Sequence, residues 1–446
     1  MTNFRSELVA AAPAPWHDGL TSRHWRILIG SYLGWIFDGF EASALVVALP
    51  FALKSLLTPE QAQAPAVYAG AAIGITLLGW GIGGLIGGVL ADYIGRKRVM
   101  MLSIFFYALF TGLTAFSNGF VALAALRFVT GLAIGSEWST GIALVAETWP
   151  DRARPKGLGF LQSGFGGGAL LAAIVWYLLI TYQPLGAETW RLIFVAGALP
   201  AFCVLYLRGA LEESEKWAAA VKAQRWSATA DGAVAKGARP FTLAEIFREA
   251  ESRRRVILAT ILSFATTVGW WAVSSWMPGY TEQLAHVQGE PAGVWAPRMS
   301  LVYNVGAVLA YLVSGFLADA MGRKAYMLFT FAGALALSIL TYLWSGSLPV
   351  FMVIAFFNGV FTLGFGFSWM AIYLVELFTS SVRATASSFI FNAARLVAWV
   401  FPIIAGLLVS RFGGVAHAAL TLSSVYVLGL IVPWFLPETT GQPLPE

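Results

Sequence analysis

Two near-identical strings stand far apart in this chain, and they limit what it can fold into more than any other feature. One is Gly88-Val-Leu-Ala-Asp92-Tyr-Ile-Gly95-Arg96-Lys97-Arg98, and the other is Gly315-Phe-Leu-Ala-Asp319-Ala-Met-Gly322-Arg323-Lys324. Each closes one long apolar run and opens the next. A turn repeated at this distance implies two related halves. The runs that flank it are long enough to cross a bilayer, which takes about 20 mostly apolar residues. Only 11% of the 446 residues are charged and 58% are hydrophobic, whereas a soluble domain carries about a quarter charged residues. Most of the surface therefore faces lipid rather than water. The 46 Gly and 18 Trp agree, because Gly lets membrane helices approach closely and Trp favours the membrane interface.

Apolar runs bounded by charge or by Gly and Pro fall at 26–53, 66–91, 98–117, 120–146, 158–182 and 190–208, numbered here as spans 1 to 6. The second half repeats the count at 256–283, 299–319, 324–345, 349–375, 384–410 and 414–436, spans 7 to 12. The expected organisation is a tail at 1–25, a six-helix half at 26–208, a linker at 209–255, a second six-helix half at 256–436 and a tail at 437–446. The fold class is an all-α membrane protein of twelve helices in two pseudo-symmetric halves.

Placing the N-terminus inside puts 22 of the 28 Lys and Arg residues on the inner side and four on the outer, with Arg127 and Arg395 left within spans. This bias sets orientation, so both termini are expected in the cytoplasm. The basic residues lie in loops between apolar runs and form no separate basic domain, so the net charge of +5 does not indicate nucleic acid. The single Cys203 excludes a disulfide within the chain and a cysteine-based metal site. Residues 1–25 lack the order of a signal peptide, since Pro13, Pro15, His17 and Asp18 interrupt them. The linker contains Glu212-Glu-Ser-Glu215-Lys216-Trp217 and ends in Arg253-Arg-Arg255, with one amphipathic helix expected between Pro240 and Arg255.

Together these features resemble the major facilitator superfamily over essentially the whole chain. The motif G-x-x-x-D-x-x-G-R-K, present twice, carries most of the likeness. Arg127-Phe-Val-Thr-Gly131-Leu-Ala-Ile-Gly135 is similar to the family's fourth-helix pattern. Glu147-Thr-Trp-Pro-Asp-Arg152 and Glu376-Leu-Phe-Thr-Ser-Ser-Val-Arg383 resemble its paired loops after helices 4 and 10, and Pro437-Glu438-Thr-Thr-Gly441 resembles the tail of sugar-porter relatives. Within the superfamily, Gly34-Trp-Ile-Phe-Asp38-Gly39-Phe-Glu41 and Gly135-Ser-Glu137-Trp138 resemble metabolite:proton symporters. Asn392-Ala-Ala-Arg395 is similar to the sialate and lactate:proton symporter group.

The resemblance implies a charge latch at the inner face. Asp92, Arg96, Asp319 and Arg323 would pair with neighbouring helix ends, Glu147 and Arg152 in one half and Glu376 and Arg383 in the other. The latch would favour the outward-facing state. Gly95 and Gly322 supply the tight turns, where Gly allows conformations that other residues adopt at a cost. The competing reading is that the basic clusters only orient the helices.

Five ionisable groups lie inside spans: Asp38, Glu41, Arg127, Glu137 and Arg395. Each costs at least about 2.5–3.5 kcal/mol at the centre of a bilayer unless it meets a partner or a water-filled cavity. Asp38 and Glu41, three residues apart, share one helix face. Mutual repulsion and burial disfavour two charges there, so at least one is expected to hold a proton. Arg127 stays charged and is expected to hold Asp38 when that group is ionised, as a helix-1 Asp and helix-4 Arg do in sugar-porter relatives. Glu137, about 15 Å further along its helix, is a second proton site or an inner gate. Arg395 has no acidic residue deep in spans 7 to 12 to neutralise it, which suits an organic carboxylate bound through parallel hydrogen bonds. A cross-half pair with Asp38, Glu41 or Glu137 is the alternative. Asn392, Asn358, Asn304 and Trp270 are weaker candidates for ligand contact, against a packing role for each. The run Gly166-Gly167-Gly168 suits close helix packing and is no phosphate loop, since no Lys-Ser/Thr follows it.

The expectation is a proton-coupled symporter that takes up a small organic anion such as lactate or pyruvate by alternating access. Aromatic acids, dicarboxylates, sialic acid, drugs or sugars, or a transporter-like receptor, are the alternatives. The resemblance implies a monomer in a bacterial inner membrane, with the lipid bilayer, an acid and a proton as partners. No metal, cofactor, nucleic acid or enzymatic nucleophile–base set is expected.

Overall fold

The computed structural model describes residues 15–63, 65–199, 202, 211–223, 241–290, 292–398 and 415–445. Cys203, the end of span 6, the end of span 11 and linker residues 224–240 lie outside the described residues. Among the described residues, nine helices are long and apolar enough to cross a membrane. They are span 1 (Ser22–Leu56), span 2 (Pro65–Ile94), span 3 (Arg96–Thr114), span 4 (Phe120–Thr148), span 5 (Arg154–Tyr182), span 8 (Ala292–Met321), span 9 (Arg323–Leu343), span 10 (Leu348–Leu377) and span 12 (Val415–Phe435). Span 6 begins at Trp190–Ala196, and span 11 is described over Arg383–Ala398. Span 7 runs Ala250–Ala272 and resumes at Met277–Val287 after a short 3-10 turn. In the linker, short helices cover Glu215–Lys222 and Thr242–Arg248.

Spans 4, 7 and 10 are irregular near their middles, and span 12 passes through 3-10 turns at Ser424–Tyr426 and Val432–Phe435. Span 4 loosens at Gly135 and Ser136, just before Glu137. Span 10 widens into a π-helical stretch at Gly359–Phe365, a feature that often marks functional sites. Span 7 breaks at Val273. Gly95 and Gly322, the motif glycines, sit at φ 102° and 86° and start spans 3 and 9. These angles lie in the region that side chains avoid.

Glycine sets the closest approaches. A Cβ on Gly168 would lie 1.8 Å from the carbonyl oxygen of Ile36, and one on Gly39 would lie 2.1 Å from that of Phe165. Spans 1 and 5 therefore touch backbone to backbone, and the glycine run acts as a packing surface. Spans 2 and 4 meet in the same way through Gly83 and Gly131, whose added Cβ atoms would lie 1.9 Å from the Leu132 oxygen and 2.3 Å from the Thr76 oxygen. The same kind of approach crosses the seam between halves near the motif face, where a Cβ on Gly315 would lie 2.2 Å from the Pro155 oxygen, while polar and aromatic groups line the seam further away.

Candidate functional site

A cavity of about 440 Å³ lies on that seam. Its aromatic wall includes Trp35, Trp80, Phe165, Trp270, Phe367 and Phe391, and its polar groups include Glu41, Arg127, Gln162, Asn304 and Arg395. Most of the lining residues of spans 1, 2, 4, 7 and 8, with Trp35 and Tyr311 as exceptions, fall in the halves of those helices remote from the two repeated motifs. The cavity is thus displaced away from the motif face. A smaller recess between spans 7 and 8, lined by Ser274, Tyr303 and Met299, shares Trp270, Ser300 and Asn304 with it. Here the Trp270 Nε1 donates to the Tyr303 hydroxyl at 3.0 Å.

Arg395 is 7% exposed and makes no ion pair among the described residues. Its Nη1 donates to the Phe391 carbonyl at 2.7 Å, one turn earlier. Its guanidinium carbon lies 3.6 Å from the Phe391 ring centroid and 5.2 Å from that of Trp80. Ring faces attract the cation and leave its remaining N–H groups for something that enters the cavity.

The other four buried charges pair differently from the sequence expectation. Arg127 forms its ion pair with Glu41, through Nη2 and Oε1, and not with Asp38. Asp38 instead adjoins Glu137. The reason is register. Spans 1 and 4 run in opposite directions, so the residue later in span 1 meets the one earlier in span 4. Gly34 makes the room, since a Cβ there would lie 2.1 Å from Glu137 Oε1. Asp38 and Glu137 are 0% and 1% exposed, and no group beyond this pair hydrogen-bonds to either carboxyl among the described residues. Glu41 and Arg127 thus border the cavity, and the Asp38–Glu137 pair lies behind its wall.

Two of the four weaker candidates reach the cavity, Trp270 and Asn304. Asn358 does not. Its Nδ2 donates to Thr341 at 2.9 Å, and its Oδ1 accepts from Thr362 at 3.0 Å, so its polar atoms are used in packing span 10. Asn392 is turned toward span 2, where a Cβ on Gly84 would lie 2.1 Å from its Nδ2, and it donates to the Ser388 carbonyl at 3.0 Å.

At the motif face the latch residues meet, with two changes of partner. Arg96 contacts Asp92 at 3.0 Å and Glu147 at 3.2 Å, and Arg323 contacts Asp319 at 2.8 Å and Glu376 at 2.9 Å. Arg383 reaches across the seam to Glu147 at 2.7 Å rather than to Glu376 of its own half. Arg152 is exposed and makes no ion pair among the described residues. Arg154 takes its place and crosses to Glu376 at 3.5 Å. The missed signal is spacing: Glu147 to Arg154 and Glu376 to Arg383 are both seven residues apart. Lys156 adds a cross-seam ion pair to Asp319. Asp92 accepts from the Thr385 amide at 2.8 Å and so caps the start of span 11.

Two acidic residues outside the spans complete this face. Glu213 accepts from the amides of Arg96 and Lys97 at 3.0 and 3.2 Å. Glu438 does the same for Arg323 and Lys324 at 2.9 and 3.0 Å. Partial burial pushes the Glu438 carboxyl upward. The Thr440 hydroxyl and the Lys324 and Arg323 amides outweigh it and hold the group at about 2. Beyond Glu438 the chain lies over the latch. Thr439 donates to Glu376 at 2.6 Å, Arg154 donates to the Gln442 carbonyl at 3.5 Å and Arg383 to that of Pro445 at 2.8 Å.

A family model described as "Sugar (and other) transporter" matches residues 27–446. A Haemophilus influenzae protein named for metabolite transport is 30% identical over 428 residues, covering 95% of this chain and 99% of its own. The cis,cis-muconate transport protein of Acinetobacter baylyi is 26% identical over 432 residues, covering 95% and 97%. Among solved structures, the proton:xylose symporter XylE superposes with a TM-score of 0.77 at 17% identity, over 95% of this chain and 98% of that one. At that identity the likeness concerns the fold.

Proposed function

Because the chain belongs to the sugar (and other) transporter family of the major facilitator superfamily, a family of membrane transporters rather than enzymes, we propose that it is a proton-coupled symporter for a small organic acid. The observation that carries this reading is the guanidinium of Arg395 on the cavity wall, without an ion pair among the described residues. Glu41 and Arg127 cancel each other, which leaves one positive charge facing the cavity, and a carboxylate completes it through two parallel hydrogen bonds. The cavity is in the range that houses ligands larger than three-carbon acids, about 300–1,000 Å³. With its indole and phenyl walls, it favours an unsaturated or aromatic acid over lactate or pyruvate. The name of the muconate-transporting relative supports the same class.

Asp38 and Glu137 are the proposed proton carriers. Two adjoining buried carboxyl groups without a cation do not both ionise, so the pair holds a proton that a change in its surroundings can release. With the motif face in the cytoplasm, as the basic loops favour, the latch seals the inner side and the cavity serves the outer side. Rocking of the halves then delivers acid and proton together. A monomer in a bacterial inner membrane suffices for this cycle.

The test is uptake into proteoliposomes of labelled benzoate, cis,cis-muconate, lactate and pyruvate. An inward proton gradient should drive accumulation of at least one unsaturated acid. Arg395→Ala should weaken that uptake about 10- to 100-fold, as loss of charged hydrogen bonds worth about 1.5–3 kcal/mol would. Binding without flux, or uptake indifferent to the gradient, would count against symport.

A further inference from the structure

A stack of three groups crosses from one half to the other, with Arg395 and Phe391 on the cavity wall and Trp138 buried behind them. The guanidinium carbon of Arg395 lies 3.6 Å from the Phe391 centroid. The Trp138 ring lies on the same phenyl at 3.6 Å, with 17° between planes. A phenyl ring has two faces, and a group this close fills one of them, so cation and indole occupy opposite faces. Each outer member is fixed from behind. Arg395 is tied to the Phe391 carbonyl. Trp138 donates through Nε1 to Gln162 at 2.7 Å, and Gln162 donates across the seam to the Phe367 carbonyl at 3.3 Å. Arg395 and Phe391 belong to the second half, Trp138 and Gln162 to the first. Below the stack, span 11 continues through Ser388 and Ser387 to the ion pairs of the motif face.

We infer that this stack couples occupancy of the cavity to opening of the motif face, with Phe391 as the positioning residue between Arg395 and the Trp138 gate. The inference rests on the reading of Arg395 as the acid's anchor. A carboxylate takes two parallel N–H bonds at the edge of the guanidinium, the part that the stack leaves open to the cavity, and its charge pulls the cation toward itself and away from the phenyl face. The acid also competes for the charge that the ring attracts. Phe391 then keeps only Trp138, and the contact between halves beneath the ligand loosens. An empty cavity leaves the clasp whole, which guards against opening without cargo.

The experiment uses full-length protein with Cys203→Ser and Ser387→Cys, in membranes whose motif face is accessible to a water-soluble maleimide. Ser387 is 0% exposed, so labelling reports opening of that face. The background protein should label slowly, and saturating cis,cis-muconate should accelerate it about fivefold or more. Phe391→Leu should label fast without acid and gain less than about twofold from muconate at a concentration that saturates the variant. Phe391→Tyr keeps the ring and should behave as the background does. Trp138→Leu, which empties the opposite face, should repeat the leucine result if Phe391→Leu does not fold. Slow labelling of a folded leucine variant that still responds to muconate would overturn the proposal. If muconate does not bind the background protein, the reading of the substrate is what fails. The acid-free comparison of leucine with tyrosine at 391 then decides alone whether the stack holds the gate.

Discussion

At the scale of single residues, the five charges inside spans divide into three kinds of partnership: a cation with a carboxylate, two carboxyls together, and a cation with no ion pair among the described residues. The Arg127–Glu41 pair tests the first kind. Removing one member of a buried ion pair strands the other and costs about 3–5 kcal/mol, whereas replacing both is often far less harmful. Glu41→Gln should therefore lower the melting temperature in detergent more than Glu41→Gln combined with Arg127→Leu does. Equal melting temperatures for the two proteins would dissolve the pair. The presence of these charges is legible in the one-dimensional pattern, because any charge inside an apolar run is conspicuous. Their partners are not, because two antiparallel helices can slide past one another without changing either sequence. Register placed Glu41 opposite Arg127 and Asp38 opposite Glu137, and helix rotation turned Asn392 and Asn358 into packing residues. Arg154 is a different case, since its spacing from Glu147 repeats that of Arg383 from Glu376 and could have been read.

At the scale of elements, backbone contact between helices decides where side chains can go. Spans 1 and 5 leave no room for a methyl group at Gly168. Gly168→Ala should force the spans apart and destabilise the protein by about 1–3 kcal/mol, the usual cost of overpacking. Gly70→Ala, in span 2 with nothing within 4 Å of the added Cβ, should be neutral or stabilising by up to about 1 kcal/mol from helix propensity. Thermal melts followed by size-exclusion chromatography compare the two, and similar behaviour would contradict the packing account. The glycine run was readable as a packing surface from its place within an apolar stretch. The breaks in spans 4 and 7 carry local signals, the Gly135-Ser136 pair and Pro278, which denies the Ser274 carbonyl its helical donor, whereas the widening of span 10 has no proline within it.

For the molecule as a whole, the latch and the segment 437–445 close one face together. Glu438 titrates well below its ordinary range, at about 2, so its contribution is present above the ordinary carboxylate value of about 4.3 and fades as pH falls toward 2. Docking of this segment should therefore be constant between pH 5 and 8, and any pH dependence of transport in that window must come from elsewhere. Protease sensitivity of residues 437–445 checks this. It should stay flat across that window and rise with Glu438→Gln at pH 7. A second outcome concerns the cross-seam pairs. Arg154→Ala with Arg383→Ala should speed maleimide labelling at Ser387→Cys without any acid, whereas Arg152→Ala should not.

The exchange of arginines between the halves has a further consequence. Each half offers a glutamate and, seven residues on, an arginine, and each arginine answers the other half's glutamate. That is the contact pattern of two identical subunits related by a twofold axis, in which one patch meets its own copy. The single chain carries the handshake of a dimer, so two copies of either half contain every charge needed to form it. An isolated half lacks the facing patch: Arg154 would keep Asp151 of its own half, whereas Arg383 would lose the carboxylate of Glu147.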